Sequence, residues 1–151
     1  MHKTKNIAVF RFLTFILALL LLVPLGIPAK AIETQPRASA YLAAYSAYTS
    51  ALGNGKVRVY FEVSGTSYMD TIGASSIQLY ESSDNSTWRL VKTFSSGVYA
   101  SMLANSTDYH AGHVEYPGTA GRYYKAYVCA WASKNGSGDS RYFWTSAVRA
   151  S

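Results

Sequence analysis

The stretch that decides the fold is KVRVYFEVSG, Lys56–Gly65. Val57, Val59, Phe61 and Val63 alternate with Lys56, Arg58, Tyr60 and Glu62. Alternation with period two puts one set on each face of an extended strand, so the segment predicts a half-buried β-strand. Immediately before it, Gly53-Asn54-Gly55 is a hairpin signal, because Gly and Asn accept the positive φ angles of tight turns. The preceding YLAAYSAYTSAL, Tyr41–Leu52, mixes helix-favouring alanines with a strand pattern. With the turn after it, it reads as the partner strand, with Tyr41, Ala43, Tyr45 and Ala47 on one face.

Downstream the pattern returns in shorter pieces. SIQLYES (76–82), TWRLVKTF (87–94), HVEYPG (113–118), YYKAYVCAWA (123–132) and RYFWTSAVRA (141–150) read as strands. SDNS (83–86), GTAG (118–121) and SKNGSGDS (133–140) separate them as turns. Strands at short spacing without an amphipathic helix predict an all-β chain. About seven of them suit a single immunoglobulin-like or fibronectin type III-like β-sandwich. Residues 95–112 receive no strand assignment.

Upstream, His2, Lys3, Lys5 and Arg11 precede the twelve-residue run FLTFILALLLLV (12–23), apolar but for Thr14, and Ala29-Lys30-Ala31 follows it. This order is that of a secretory signal helix cleaved after Ala31. The apolar run falls short of the roughly 20 residues that span a bilayer. The expected domains are therefore a signal peptide (1–31), a flexible mature N-terminus (32–40) and a β-sandwich (41–151). Secretion is the expected localisation, with membrane contact only through the signal before cleavage. Removing Lys3, Lys5, Arg11 and Lys30 takes fourteen basic residues to ten against eight acidic ones, so the net charge falls from +6 to +2. No basic cluster follows Lys30, and no nucleic-acid partner is expected.

Chemistry-bearing groups are sparse. Cys129 is the single cysteine and allows no internal disulfide. Asp108, His110 and His113 offer a carboxylate and two imidazoles within six residues, but zinc needs three or four converging ligands. Asp70 suits a backbone-capping role. The Asn85, Asn105 and Asn135 sequons read as polar turns. No catalytic residue, metal site or cofactor is assigned. An enzyme or metal site using Asp108, His110, His113 or Cys129 is the alternative, as is a self-associating surface protein. All thirteen tyrosines and three tryptophans follow the signal, and outward positions on strands carry Tyr60, Tyr80, Tyr127 and Trp131. These four are the candidate ligand-binding residues. Exposed aromatic rings supply contact area at low entropic cost. The expected partner is a cell-wall or host glycan, or a protein.

The pattern Tyr124, Ala126, Val128, Ala130, Ala132 is similar to the penultimate strand of fibronectin type III domains. There Tyr124 would form a tyrosine corner, its hydroxyl bonding back to the backbone. IGASSIQLYESSDNSTWRLVKTF, HVEYPGTAG and SKNGSGDSR also resemble a family of small secreted proteins of Gram-positive-type bacteria whose function is unknown. The resemblance implies export and a compact β domain, and brings no catalytic residues.

Overall fold

A computed structural model describes residues 39–151. The signal helix and residues 32–38 lie outside the described residues. Seven antiparallel strands form one hydrogen-bonded sheet: β1 (Leu42–Gly53), β2 (Lys56–Ser82), β3 (Arg89–Ser95), β4 (Leu103–Pro117), β5 (Tyr123–Lys134), β6 (Ser137–Trp144) and β7 (Val148–Arg149). One 3₁₀ turn, Ala100–Met102, precedes β4. The described residues are all-β, as expected.

The organising element is β2, 27 residues long. Its first half pairs with β1 on one edge and with β4 on the other. Its second half pairs with β5 and β3. KVRVYFEVSG and SIQLYES, expected as two strands, are thus the ends of one. HVEYPG is likewise only the end of the 15-residue β4. The sheet curls along β2 until its arms meet. Tyr45 of β1 then packs 5.0 Å from Phe143 of β6, ring centroid to centroid.

Side-chain parity changes twice within β2. Val57, Val59, Phe61, Val63 and Met69 are buried on odd positions, then Ile72 and Ala74 on even ones, then Ile77 and Leu79 on odd ones. The second change coincides with the register shift at Ala74/Ser76; the shift at Ser64/Met69 precedes Met69, which is still on the odd face, and does not account for the first. A bulge inserts an unpaired residue and reverses which face the following side chains occupy. Gly73 lies in this region with φ +145°, and a Cβ there would stand 2.2 Å from the Met102 carbonyl oxygen. Another shift, between Leu42 and Ala44, buries Leu42 and leaves Ala43 exposed. The expected Tyr41/Ala43/Tyr45/Ala47 face is therefore interrupted.

The core lies between the arms. Val57, Val59, Phe61 and Val63 of β2 meet Ala126, Val128, Ala130 and Ala132 of β5, with Met102 and Phe94 among them. Each large apolar side chain so buried contributes roughly 1.5–3 kcal/mol. The alanines of β5 leave room for the larger residues opposite. Gly112 does the same for Phe61, its cross-strand partner, whose ring would lie 2.7 Å from a Cβ at that position.

Polar groups close the structure at its ends. Tyr124 is fully buried; its hydroxyl accepts from the Thr119 N–H (2.8 Å) and donates to Glu81 Oε2 (2.6 Å). The hydroxyl thus bonds back to backbone, as the tyrosine-corner resemblance implied. Arg89 pairs with the other Glu81 oxygen at 3.1 Å. The Tyr124 bond, offset by desolvation, holds the Glu81 carboxyl below its ordinary value of 4.5. Burial, and then the same bond, raise the Tyr124 phenol. Thr145, 5% exposed, shares a 2.8 Å hydrogen bond with Thr49 and accepts from the Ala126 N–H at 2.9 Å. Asp139 accepts from Ser39 Oγ (2.6 Å) and the Ala40 N–H (2.9 Å), bonding the residues just before β1 to β6. Asp70 sits within β2 rather than at a strand end. Its carboxylate nevertheless caps backbone, accepting from the Asn135 N–H at 2.7 Å. Asn85 and Asn135 occupy left-handed turn positions, with φ +59° and +53°.

Candidate ligand-binding face

The outward side of the second arm carries a field of rings. Cross-strand pairing sets its rows: Gln78 of β2, Tyr127 of β5 and Trp144 of β6 stand side by side, as do Ser76, Cys129 and Tyr142. Tyr80 lies opposite Lys125. Tyr127 packs 4.7 Å from Trp144 and stacks 5.5 Å from Tyr142. Tyr80 meets Trp144 edge-on at 5.1 Å, and its hydroxyl donates to Gln78 Oε1 at 3.1 Å. Trp88, from the turn before β3, completes the group. The Lys125 ammonium sits 4.3 Å from the centre of the Trp88 ring and 4.6 Å from that of Trp144. Such cation–π contacts contribute roughly 0.5–1 kcal/mol each at exposed sites. Trp144 is 48% exposed and Tyr142 58%. The face therefore presents flat apolar rings, an amide and one fixed cation to solvent.

Of the four candidates, Tyr80 and Tyr127 come together here through Trp144. Trp131 lies further along the same side of β5, its ring close over Gly138, where a Cβ would be 2.6 Å from Trp131 Cη2. Tyr60 stands apart on the first arm, stacked on Tyr48 at 4.7 Å and tilted against His113 at 5.6 Å. Arg58 joins that second group by hydrogen bonds to the Tyr60 hydroxyl (2.6 Å) and to Glu115. Tyr60, Phe61, Glu62, Ala111, Gly112 and His113 line a shallow depression of about 240 Å³.

Trp88, Lys125, Tyr142 and Trp144 were not among the sequence candidates. Three of them carry a readable signal. Tyr142 and Trp144 alternate with Phe143, and Lys125 is the lone charge in an aromatic run. Trp88 precedes its strand, where periodicity says nothing.

The alternative chemical groups are dispersed. His110 pairs with Val63 and His113 with Tyr60, and three residues along a strand places them on opposite faces. His110 Nε2 lies 2.9 Å from the Ser101 carbonyl oxygen. Among the described residues no group of three or more His, Cys, Asp and Glu side chains could hold a metal ion. Cys129 is on the outward side by parity, yet only 2% exposed, with Tyr142 its cross-strand neighbour. The contact with the Cys129 thiol pushes the Tyr142 phenol above its ordinary value.

Comparison with protein families gives no match, and comparison with curated proteins gives none. Among solved structures the chain is similar to Spo0M, a sporulation control protein from Bacillus subtilis, with a TM-score of 0.37 and 12% identity. The likeness covers 68% of this chain and 48% of that one, so the chain spans about half the length of its structural neighbour.

Proposed function

We propose that this protein is an exported, non-catalytic β-sandwich module that binds a glycan, or a protein surface, through the aromatic face of its second arm. The observation that carries the reading is the cluster of Tyr80, Tyr127, Tyr142 and Trp144, with Trp88 and Lys125, on a flat and partly exposed sheet surface. A glycan suits it best. Sugar rings have apolar faces that stack on indole and phenol, while Gln78, Lys125 and the Tyr80 hydroxyl lie beside those rings to bond ring hydroxyls. The dispersal of His110, His113 and Cys129 and the shallow surface support the non-catalytic reading. The immunoglobulin-like or fibronectin type III-like assignment is supported by two arms closing on one core and by Tyr124 bonding back to the Thr119 backbone. Export with cleavage after Ala31, and kinship with the small secreted bacterial proteins resembled above, rest on the sequence. A cell-wall or host glycan is the expected partner. A glycan array with a parallel pull-down tests the reading. Binding should be lost in Trp144→Ala and Tyr127→Ala and kept in Cys129→Ser and His113→Ala. Retention of binding in both aromatic variants refutes it.

A further inference from the structure

We infer that the ligand of this face is an anionic saccharide, with a sugar ring on Trp144 and Tyr127 and its carboxylate or phosphate on the Lys125 ammonium. This rests on the glycan reading above and adds the charge.

Lys125 is the cation at the centre of the field, and the side chains round it are uncharged: Tyr80 opposite, Gln78, Tyr127, Trp88 and Trp144. Among the described residues it forms no ion pair; the three ion pairs join Lys56 and Arg58 to Glu115, and Arg89 to Glu81. Glu81 adjoins Tyr80 in sequence but is engaged by Tyr124 and Arg89. The two indoles hold the ammonium in place, yet they consume none of its three N–H donors in conventional hydrogen bonds. Any ligand that covers Trp88 and Trp144 also covers Lys125. A neutral ligand would strip water from an unpaired charge, which is costly. An anion offsets that loss, and charge-assisted hydrogen bonds are strengthened beside low-dielectric walls. Because the ammonium is already fixed, little side-chain entropy is lost on binding. A nucleic acid would need a basic stripe to follow its regularly spaced phosphates, and this side of β5 offers Lys125 and, over Tyr123, Arg149, not a stripe.

Isothermal titration calorimetry of the protein with hyaluronan oligosaccharides and with uncharged chito-oligosaccharides of equal length tests the inference. The carboxylated sugar should bind at least roughly tenfold tighter, the scale of one hydrogen bond to a charged group. Lys125→Gln should erase most of that preference and the salt dependence. Lys125→Arg should restore the preference, and near-UV circular dichroism identifies any variant that has lost its fold. Equal binding of both sugars, or a preference that survives Lys125→Gln, overturns the inference and leaves the aromatic-face reading standing. Binding of polyglutamate but of neither sugar also overturns it, in favour of an acidic protein partner. No binding of either sugar, with Trp144→Ala silent on the array, removes both readings.

Discussion

Replacing Tyr124 by Phe isolates the one buried hydroxyl that joins three parts of the fold. The ring stays, so no cavity opens and packing is preserved. Two hydrogen bonds disappear: the one accepted from the Thr119 N–H and the one donated to Glu81 Oε2. A hydrogen bond to a charged group contributes about 1.5–3 kcal/mol, and an ordinary one about 1. Arg89 still engages Glu81 at 3.1 Å and the Thr119 turn can admit water, which offsets part of the loss. The expected net cost is about 2 kcal/mol at neutral pH. With an unfolding entropy of about 2.1 cal/mol/K per residue over roughly 110 residues, that lowers Tm by about 9 °C. The effect also depends on pH in a defined direction. Glu81 has a folded-state value below 4.5, so its contribution is present above the unfolded value and is lost as pH falls through the folded one. In Tyr124→Phe the main cause of that depression is gone and desolvation remains. The difference between wild type and variant should therefore shrink as pH drops from near neutral to below about 4, leaving the pH-independent Thr119 bond. Urea denaturation followed by tryptophan fluorescence across this range measures it. A cost under about 0.5 kcal/mol, or a difference that grows on acidification, refutes the assignment of the Glu81–Tyr124 bond as the closing interaction.

Other outcomes follow from single features. Gly73→Ala places a Cβ against the Met102 carbonyl at a φ that L-residues rarely adopt, and should cost about 3 kcal/mol or prevent folding, as judged by urea denaturation. Asp84 accepts from the Thr87 and Ser86 N–H groups and from Ser82 Oγ, which holds its carboxyl far below the ordinary 3.8; carboxyl NMR should show it still ionised well below that ordinary value. Cys129, 2% exposed, should be inert to thiol reagents in the native protein, react at once in denaturant, and yield a monomer on non-reducing gels.

The first half of β2 was legible because one face is wholly core and the other half-buried or exposed, so Lys56–Glu62 alternates without error. Ser64–Ser76 was not. Its two parity changes cancel the period-two signal, and an unbroken strand reads there as a loop. Residues 103–112 were missed for another reason. Only Val114 of β4 is buried, so the strand is held by backbone pairing with β2 and carries almost no hydrophobic pattern. The site was half legible. Parity correctly turned Tyr80 and Tyr127 outward, but which outward rings meet depends on strand neighbours. Tyr60 and Tyr80 share β2 yet fall in different arms, a separation that requires knowing that β5 pairs with the second half alone.

The length of β2 has a consequence for how the molecule can move and be divided. A fold whose two arms share one uninterrupted backbone has no seam. Cutting between Ser64 and Met69 would leave each fragment with a bare apolar surface, and no linker exists about which the arms could swing. Relative motion must come from flexing the strand itself at its bulges, so the aromatic face is carried on a frame that holds its rings at fixed spacing.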